Sequence, residues 1–262
     1  MPVGLDDIVA ATRRRLSASG PAELRLWERQ AAEHQPRGFR RHLAAAGVGI
    51  IAELKKASPS KGLIRENFDP ASLAKELEDA GSAALSVLTE PEFFQGSLAN
   101  LEVASASTTI PCLRKDFIVD EKQILEARAH RADAILLIVA ALDQPTLVLL
   151  NGKAREAELD VLCEAHNEQE LQRALDAGCD LVGVNARDLR TFHVDLDTLF
   201  RSVQKIPSSV LAVAESGIGS ANDISQLRAA GYGAFLIGES LMRAPRPGEA
   251  LRNLLGKPVT IA

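Results

Sequence analysis

Two lysines and three glutamates, each placed where an apolar run ends, are the residues of this chain best suited to proton chemistry. Ile50 to Gly62 reads IIAELKKASPSKG, an apolar run that becomes one carboxylate and two ammonium groups before a Ser/Pro/Gly loop. Side chains alternate along an extended chain, so Glu53 and Lys55 share one face while Leu54 and Lys56 share the other. Charges at the end of an apolar strand are costly unless they pair or bind something. One such strand could equally carry solvated surface charges, and the recurrence of the pattern decides between the two. Lys115 in LRKDF, Glu164 in CEAH, Asn185 and Arg187 in NARD, and Glu215 with Ser216 in AES each close a further apolar run. A positioned lysine that gives a proton and a carboxylate that takes one are the parts of general acid–base catalysis. Lys115 lies between Arg114 and Asp116. It is expected near other cations and partly desolvated, with its pKa lowered toward neutrality; a solvated salt-bridge cluster is the alternative.

The elements that must position these residues repeat. Short β-branched or Leu-rich runs occupy Ile50 to Leu54, Ala84 to Leu88, Pro111 to Lys115, Ala134 to Val139, Leu159 to Glu164, Leu181 to Asn185, Val210 to Glu215 and Ala234 to Gly238. A helical pattern follows each, and strands apolar on both faces suit a parallel sheet covered by helices. Asp69 with Pro70 opens one helix and Gly81 ends it; Asn167 with Glu170 resembles a capping box that Gly178 closes. Eight such units predict a (β/α)8 TIM barrel, with an open doubly wound sheet as the weaker alternative. The acids and bases then converge at the C-terminal ends of the strands. Residues 5–19, 21–33 and 38–46 have helical spacing and precede the repeats. The expected organisation is therefore one domain over 1–262, with residues 1–46 as an N-terminal helical extension.

The turns after strands seven and eight, Ser216-Gly217-Ile218-Gly219-Ser220 and Gly238-Glu239-Ser240, predict a phosphate site. Glycine lets backbone N–H groups approach an anion, and barrels often bind phosphate at these two strands. A net charge of -5 gives no general attraction for nucleic acid, so an anionic ligand must meet local cations. No run has the length of a membrane span and the N-terminus lacks a secretory signal, which predicts a cytoplasmic protein. Cys112, Cys163 and Cys179 fit no metal or redox spacing, and their odd number argues against a disulfide framework; free, inert thiols are expected. His166 reads as a hydrogen-bonded neighbour of Glu164, and no histidine pair has metal-ligand spacing.

IIAELKKASPSKG, ALSVLTE with EFFQGS, PCLRKDFIVDEKQILEARAHRADAILLI, GVNARDL, AESGI and LIGESLM, in this order and spacing, resemble indole-3-glycerol phosphate synthase from about Leu5 to Leu255. The resemblance implies ring closure of 1-(2-carboxyphenylamino)-1-deoxyribulose 5-phosphate with loss of carbon dioxide and water, without metal or organic cofactor. It implies that Lys115 is the general acid at the substrate carbonyl and that Glu164 assists proton transfer and stabilises the cationic intermediate. Glu53 would handle protons in dehydration. Lys55 would contact the phosphate and share acid work. Asn185 and Arg187 would orient the substrate's hydroxyl and carboxylate groups and Glu164. Glu215 and Ser216 would close the polar ring, and Ser216, Gly217, Gly238 and Glu239 would hold phosphate largely through backbone. Phe94, Phe117, Leu136 and Leu137 are candidate walls for the aromatic ring, and Ser58 to Gly62 resembles the mobile loop over the site. The phosphorylated substrate is the one partner implied, for a monomer or weak homo-oligomer with no nucleic-acid or membrane partner.

Two departures stand out. The family usually reads NNRDL where this chain has Ala186, and His130-Arg131 replace the more usual small residue or glycine. Two other functions compete. A sugar-phosphate isomerase related to phosphoribosylanthranilate isomerase needs a cysteine and aspartate pair, for which Cys112 has the wrong parity and strand. A catalytically silent phosphate-binding barrel would have no reason to keep both lysines and glutamates.

Overall fold

In a computed structural model that describes residues 3–18, 20–188 and 191–257, eight parallel strands close into a barrel in chain order. They are β1 (Gly49–Leu54), β2 (Ala84–Leu88), β3 (Cys112–Lys115), β4 (Ala134–Ile138), β5 (Asp160–Ala165), β6 (Leu181–Asn185), β7 (Leu211–Glu215) and β8 (Ala234–Ile237). Closure is made by β8 on β1, with Gly49 opposite Ala234 and Ile51 opposite Leu236. Alternation divides the apolar residues into two layers. Ile51, Leu113, Leu136, Leu162, Leu181, Val213 and Leu236 fill the barrel. Residues of the opposite parity, among them Ile50, Leu54, Leu85, Leu137 and Val182, pack outward against the helices. Each strand is thus buried on both faces, as a parallel sheet demands.

The covering helices are α4 (Pro70–Ala80), α5 (Pro91–Phe94), α6 (Leu98–Ala106), α7 (Lys122–Ala129), α8 (Gln144–Glu156), α9 (Glu168–Asp176), α10 (Asp197–Val203), α11 (Ala221–Ala230), α12 (Glu239–Arg243) and α13 (Pro247–Leu254). Their ends follow the capping chemistry. Asp69 accepts from the Ala71 N–H, Asn167 accepts from the Glu170 N–H, and Gly81 closes α4 at φ 103°. Each such N-cap contributes about 1 kcal/mol. Arg131, where the family favours a small residue or glycine, adopts φ 67° after α7. Its carbonyl accepts a hydrogen bond from Ser105 Oγ at 3.0 Å, which helps hold that conformation.

Three helices precede the barrel, α1 (Leu5–Ser17), α2 (Pro21–Glu33) and α3 (Phe39–Ala45). Phe39 and Leu43 of α3 are buried against the barrel interior and close its N-terminal end. Just above, Asp133 is fully buried and accepts from the Arg37 N–H at 2.7 Å, Arg37 Nη2 at 2.6 Å and the Cys112 N–H at 2.6 Å. Helix α2 lies along α7 through Trp27, Ala31 and Ala129. Helix α1 reaches the opposite end, where Ile8 joins the cluster that contains Phe117.

The loop after β1 carries a short ladder, in which Ala57–Ser58 pairs antiparallel with Gly62–Leu63. Cys163 and Cys179 are joined by a disulfide, which corrects the expectation of three free thiols. The cause is the βα unit itself: α9 folds back along β5 and returns the chain to within 6.5 Å, Cα to Cα, across 16 residues. Cys112 is free and buried, and burial pushes its thiol up to about 12. Among the described residues no helix is long and apolar enough to cross a membrane.

Candidate active site

A cavity of about 440 Å³ opens at the C-terminal ends of the strands. Inward parity brings the acids and bases there. Glu53 and Lys55 follow Ile51, Lys115 follows Leu113, Glu164 follows Leu162, Asn185 follows Gly183, and Glu215 follows Val213. These residues line the cavity together with Ser58, Phe94, Phe117, Leu136, Arg187, Ser216, Gly217, Gly238 and Glu239. Leu137 is the exception among the proposed walls. With Leu136 inward, Leu137 must face outward, and it is buried in the layer beneath the helices. Lys56 and Lys61 of the loop lie outside the lining.

The charges form two lysine–glutamate pairs. Lys55 Nζ donates to Glu53 Oε1 at 2.5 Å at the end of β1, and Lys115 Nζ donates to Glu164 Oε2 at 3.0 Å between β3 and β5. Burial alone would lower the Lys115 pKa, but Glu164, Glu215 and Glu53 together overcome it and raise it above the ordinary lysine value. The expectation of a lowered value is therefore wrong. It supposed cationic neighbours, whereas Arg114 points outward to Asp116 and Glu126 and leaves Lys115 among carboxylates.

Glu164 and Glu215 are shifted in opposite directions. Burial would raise Glu164, yet Lys115 and His166 hold it well below the usual carboxylate range. Glu215 is pushed well above it by burial and by the neighbouring Glu164. Glu164 is thus the stronger acid and Glu215 the weaker, a division of labour typical of acid–base sites. Glu215 Oε1 has no hydrogen-bond partner and lies so close to Gly183 that a Cβ there would clash with it. A buried polar atom left unpaired is uncommon, and this one belongs to a residue on the cavity lining.

The loops supply the rest. Asn185 Oδ1 accepts from the Arg187 N–H at 3.0 Å, and Arg187 Nη2 lies 3.7 Å from Glu239 Oε2. After β7 the chain turns through Ser216 at φ 68° and Gly217 at φ 76°. A side chain at Gly217 would strike Val194 and Leu196 at 2.7 Å, and one at Gly238 would strike Glu53 Oε1 at 2.3 Å. Both glycines let the backbone approach the cavity where a side chain could not. Ring-sized apolar walls come from Phe94 and Phe117, whose centroids are 6.0 Å apart, with Leu136 on the lining as well.

Several lining residues had no signal in the acid–base pattern. Val3, Gly4, Leu5 and Ile8 bring the helical extension over the mouth, and Arg15 anchors it there by ion pairs to Glu90 at 3.6 Å and Asp116 at 3.8 Å. Phe192 and Arg243 also line the cavity. The α1 contribution could have been suspected only from its apolar stripe, which says that the helix packs but not against what.

A family model for indole-3-glycerol phosphate synthase matches residues 5–254. A curated relative of that name from Koribacter versatilis is 59% identical over 256 residues, covering 96% of this chain and 98% of the relative. Another, from Burkholderia ambifaria, is 47% identical over 255 residues and covers 95% and 98%. Solved structures similar in fold include thiamine phosphate pyrophosphorylase from Pyrococcus furiosus, with TM-score 0.61 and 14% identity over 83% of this chain and 96% of that one. KGPDC from Streptococcus mutans is comparable, with TM-score 0.62 and 15% identity over 79% and 95%. At these identities the two structures speak for the barrel alone.

Proposed function

The chain belongs to the indole-3-glycerol phosphate synthase family, and from that premise we propose how its cavity performs the family's reaction. The enzyme is a carboxy-lyase of tryptophan biosynthesis. It closes the indole ring of 1-(2-carboxyphenylamino)-1-deoxyribulose 5-phosphate with loss of carbon dioxide and water. Lys115 donates a proton to the substrate's carbonyl oxygen as the aromatic carbon attacks, and the ionised Glu164 beside it stabilises the positive charge that develops on the ring. Expulsion of carbon dioxide restores the aromatic system. Glu53 handles the protons of dehydration, with Lys55 as its partner and a second acid. Asn185 and Arg187 orient the substrate's hydroxyl and carboxylate groups, and Glu215 and Ser216 complete the polar ring.

The phosphate is held by Lys55 and by the backbone of Ser216, Gly217, Gly238 and Glu239. The Glu239 carboxylate is occupied by Arg243, 3.1 Å away, and by Arg187, so its contribution is main-chain. Ser58 closes over the bound substrate, and Phe94, Phe117 and Leu136 flank its aromatic ring. The observation that carries these roles is the Lys115–Glu164 pair, an ammonium and a carboxylate 3.0 Å apart on different strands with both side chains inside the cavity. The helical extension and the barrel act as one domain, a reading supported by the Arg37–Asp133 pair and by the placement of Leu5 and Ile8 on the lining. A cytoplasmic monomer or weak homo-oligomer without nucleic-acid partners fits the net charge of -5.

Purified protein given the substrate should develop indole fluorescence, and inorganic phosphate should raise the apparent KM without altering kcat. Absence of competition at saturating phosphate would remove the turns after β7 and β8 from the phosphate role.

A further inference from the structure

The side chain that follows Glu164 at inward parity is His166, which is 8% exposed and does not line the cavity. Its Nε2 lies 3.2 Å from Glu164 Oε1, and its Nδ1 lies 3.2 Å from Glu170 Oε2. Glu170, in the first turn of α9, also accepts the His166 backbone N–H at 2.8 Å and Asn167 Nδ2 at 2.6 Å. One carboxylate at each ring nitrogen is the arrangement of an imidazolium, because neutral imidazole has a single N–H to offer. Burial opposes the charge, but Glu164 and Glu170 outweigh it and carry the group up to about 10. Glu164 is therefore held between two cations, Lys115 at Oε2 and His166 at Oε1, against the burial that works the other way.

We infer that His166 is a positioning residue, which sets its charge against one oxygen of Glu164 and keeps that group a carboxylate while Lys115 turns to the substrate. The inference rests on the proposed role of Glu164. When Lys115 directs its proton to the substrate carbonyl, Glu164 loses part of one counter-charge, and burial then favours its protonation. The imidazolium opposes this without touching the reacting atoms. Glu170 in turn fixes the ring and its charge, so the chain of contacts runs from the first turn of α9 to the cavity.

The test is the pH dependence of kcat and KM for His166→Gln, Glu170→Gln and Glu164→Gln, with folding checked by circular dichroism. His166→Gln should lower kcat by about tenfold or more, leave KM nearly unchanged, and move the acid limb of the kcat profile up by about one pH unit as Glu164 protonates more readily. Glu170→Gln should move the limb in the same direction by less. A folded His166→Gln enzyme with unaltered kcat and acid limb, beside an inactive Glu164→Gln enzyme, overturns the inference and leaves the role of Glu164 standing. An active Glu164→Gln enzyme overturns both. Should His166→Gln fail to fold, an unshifted acid limb in Glu170→Gln overturns the inference by itself.

Discussion

The two ends of the barrel each bury a carboxylate among cations, and they use it differently. At the N-terminal end Asp133 is fully enclosed, and Arg37 and the Cys112 N–H satisfy it with His34 Nε2 3.3 Å away. At the C-terminal end Glu164 is equally buried; each carboxylate has a histidine Nε2 close by without an aligned hydrogen bond, His34 and His166, and the Glu164 cluster adds an unpartnered carboxyl oxygen, Glu215 Oε1, on a residue that lines the cavity. Asp133 has its capacity consumed by the protein and joins the helical extension to β3 and β4. The Glu164 cluster keeps capacity in reserve, at a cost in stability of the kind that active sites bear. Satisfied buried charge is structural, and incompletely satisfied buried charge facing a cavity is functional.

Asp133→Ala should give the largest effect. Removing one partner of a buried ion pair leaves the other uncompensated and costs about 3–5 kcal/mol. Burial would raise the Asp133 pKa, but His34 close by and the hydrogen bonds from Arg37 hold it below the usual aspartate range. Its contribution is therefore present at neutral pH and is lost only as pH falls through that lowered value. Urea denaturation should show the loss at pH 7, and less of it in strong acid, while turnover of the folded fraction stays as in the parent enzyme. Reduced turnover with unchanged stability would reverse the contrast between the two ends.

Lys115→Met should do the opposite. Turnover should fall by at least about 100-fold, the scale of one lost general acid, because the thioether keeps the apolar stem and removes the ammonium. Glu164 retains His166 as counter-ion, so the protein should still unfold cooperatively. Near-normal turnover in folded Lys115→Met protein would sink the assignment.

Much of this contrast was legible in the chain because parity along a strand is local. Once Leu113 is inside, Lys115 is inside, and the same arithmetic places Glu53, Glu164, Asn185 and Glu215 at one mouth and sends Leu137 outward. What parity cannot give is the company a side chain keeps across the barrel. Lys115 was expected among cations because Arg114 is its neighbour in sequence, yet Arg114 faces the helices and three glutamates from other strands set the Lys115 charge. The Cys163–Cys179 bond and the reach of α1 over the cavity are hidden for the same reason: each depends on how a helix returns against a strand or a rim.

Ala186, where this chain leaves the family's NNRDL pattern, gives the smallest predicted effect. Asn185 and Arg187 line the cavity on either side of it, while Ala186 is 4% exposed and belongs to the apolar layer beneath the helices. Its backbone is committed to the fold, because its N–H donates to the Glu215 carbonyl at 2.9 Å and its own carbonyl accepts from the Asp195 N–H at 2.9 Å. An amide added there enters the outer layer rather than the cavity. Ala186→Asn should therefore change kcat/KM by less than about tenfold, roughly 1.4 kcal/mol. It should lower stability by about 1–3 kcal/mol where the amide finds no partner. Asn185→Ala should cost more activity, since Asn185 Oδ1 holds the Arg187 N–H and faces the substrate. Steady-state kinetics of the two variants decide the matter: a larger loss in Ala186→Asn than in Asn185→Ala would mean that β6 does not keep its alternation to the rim.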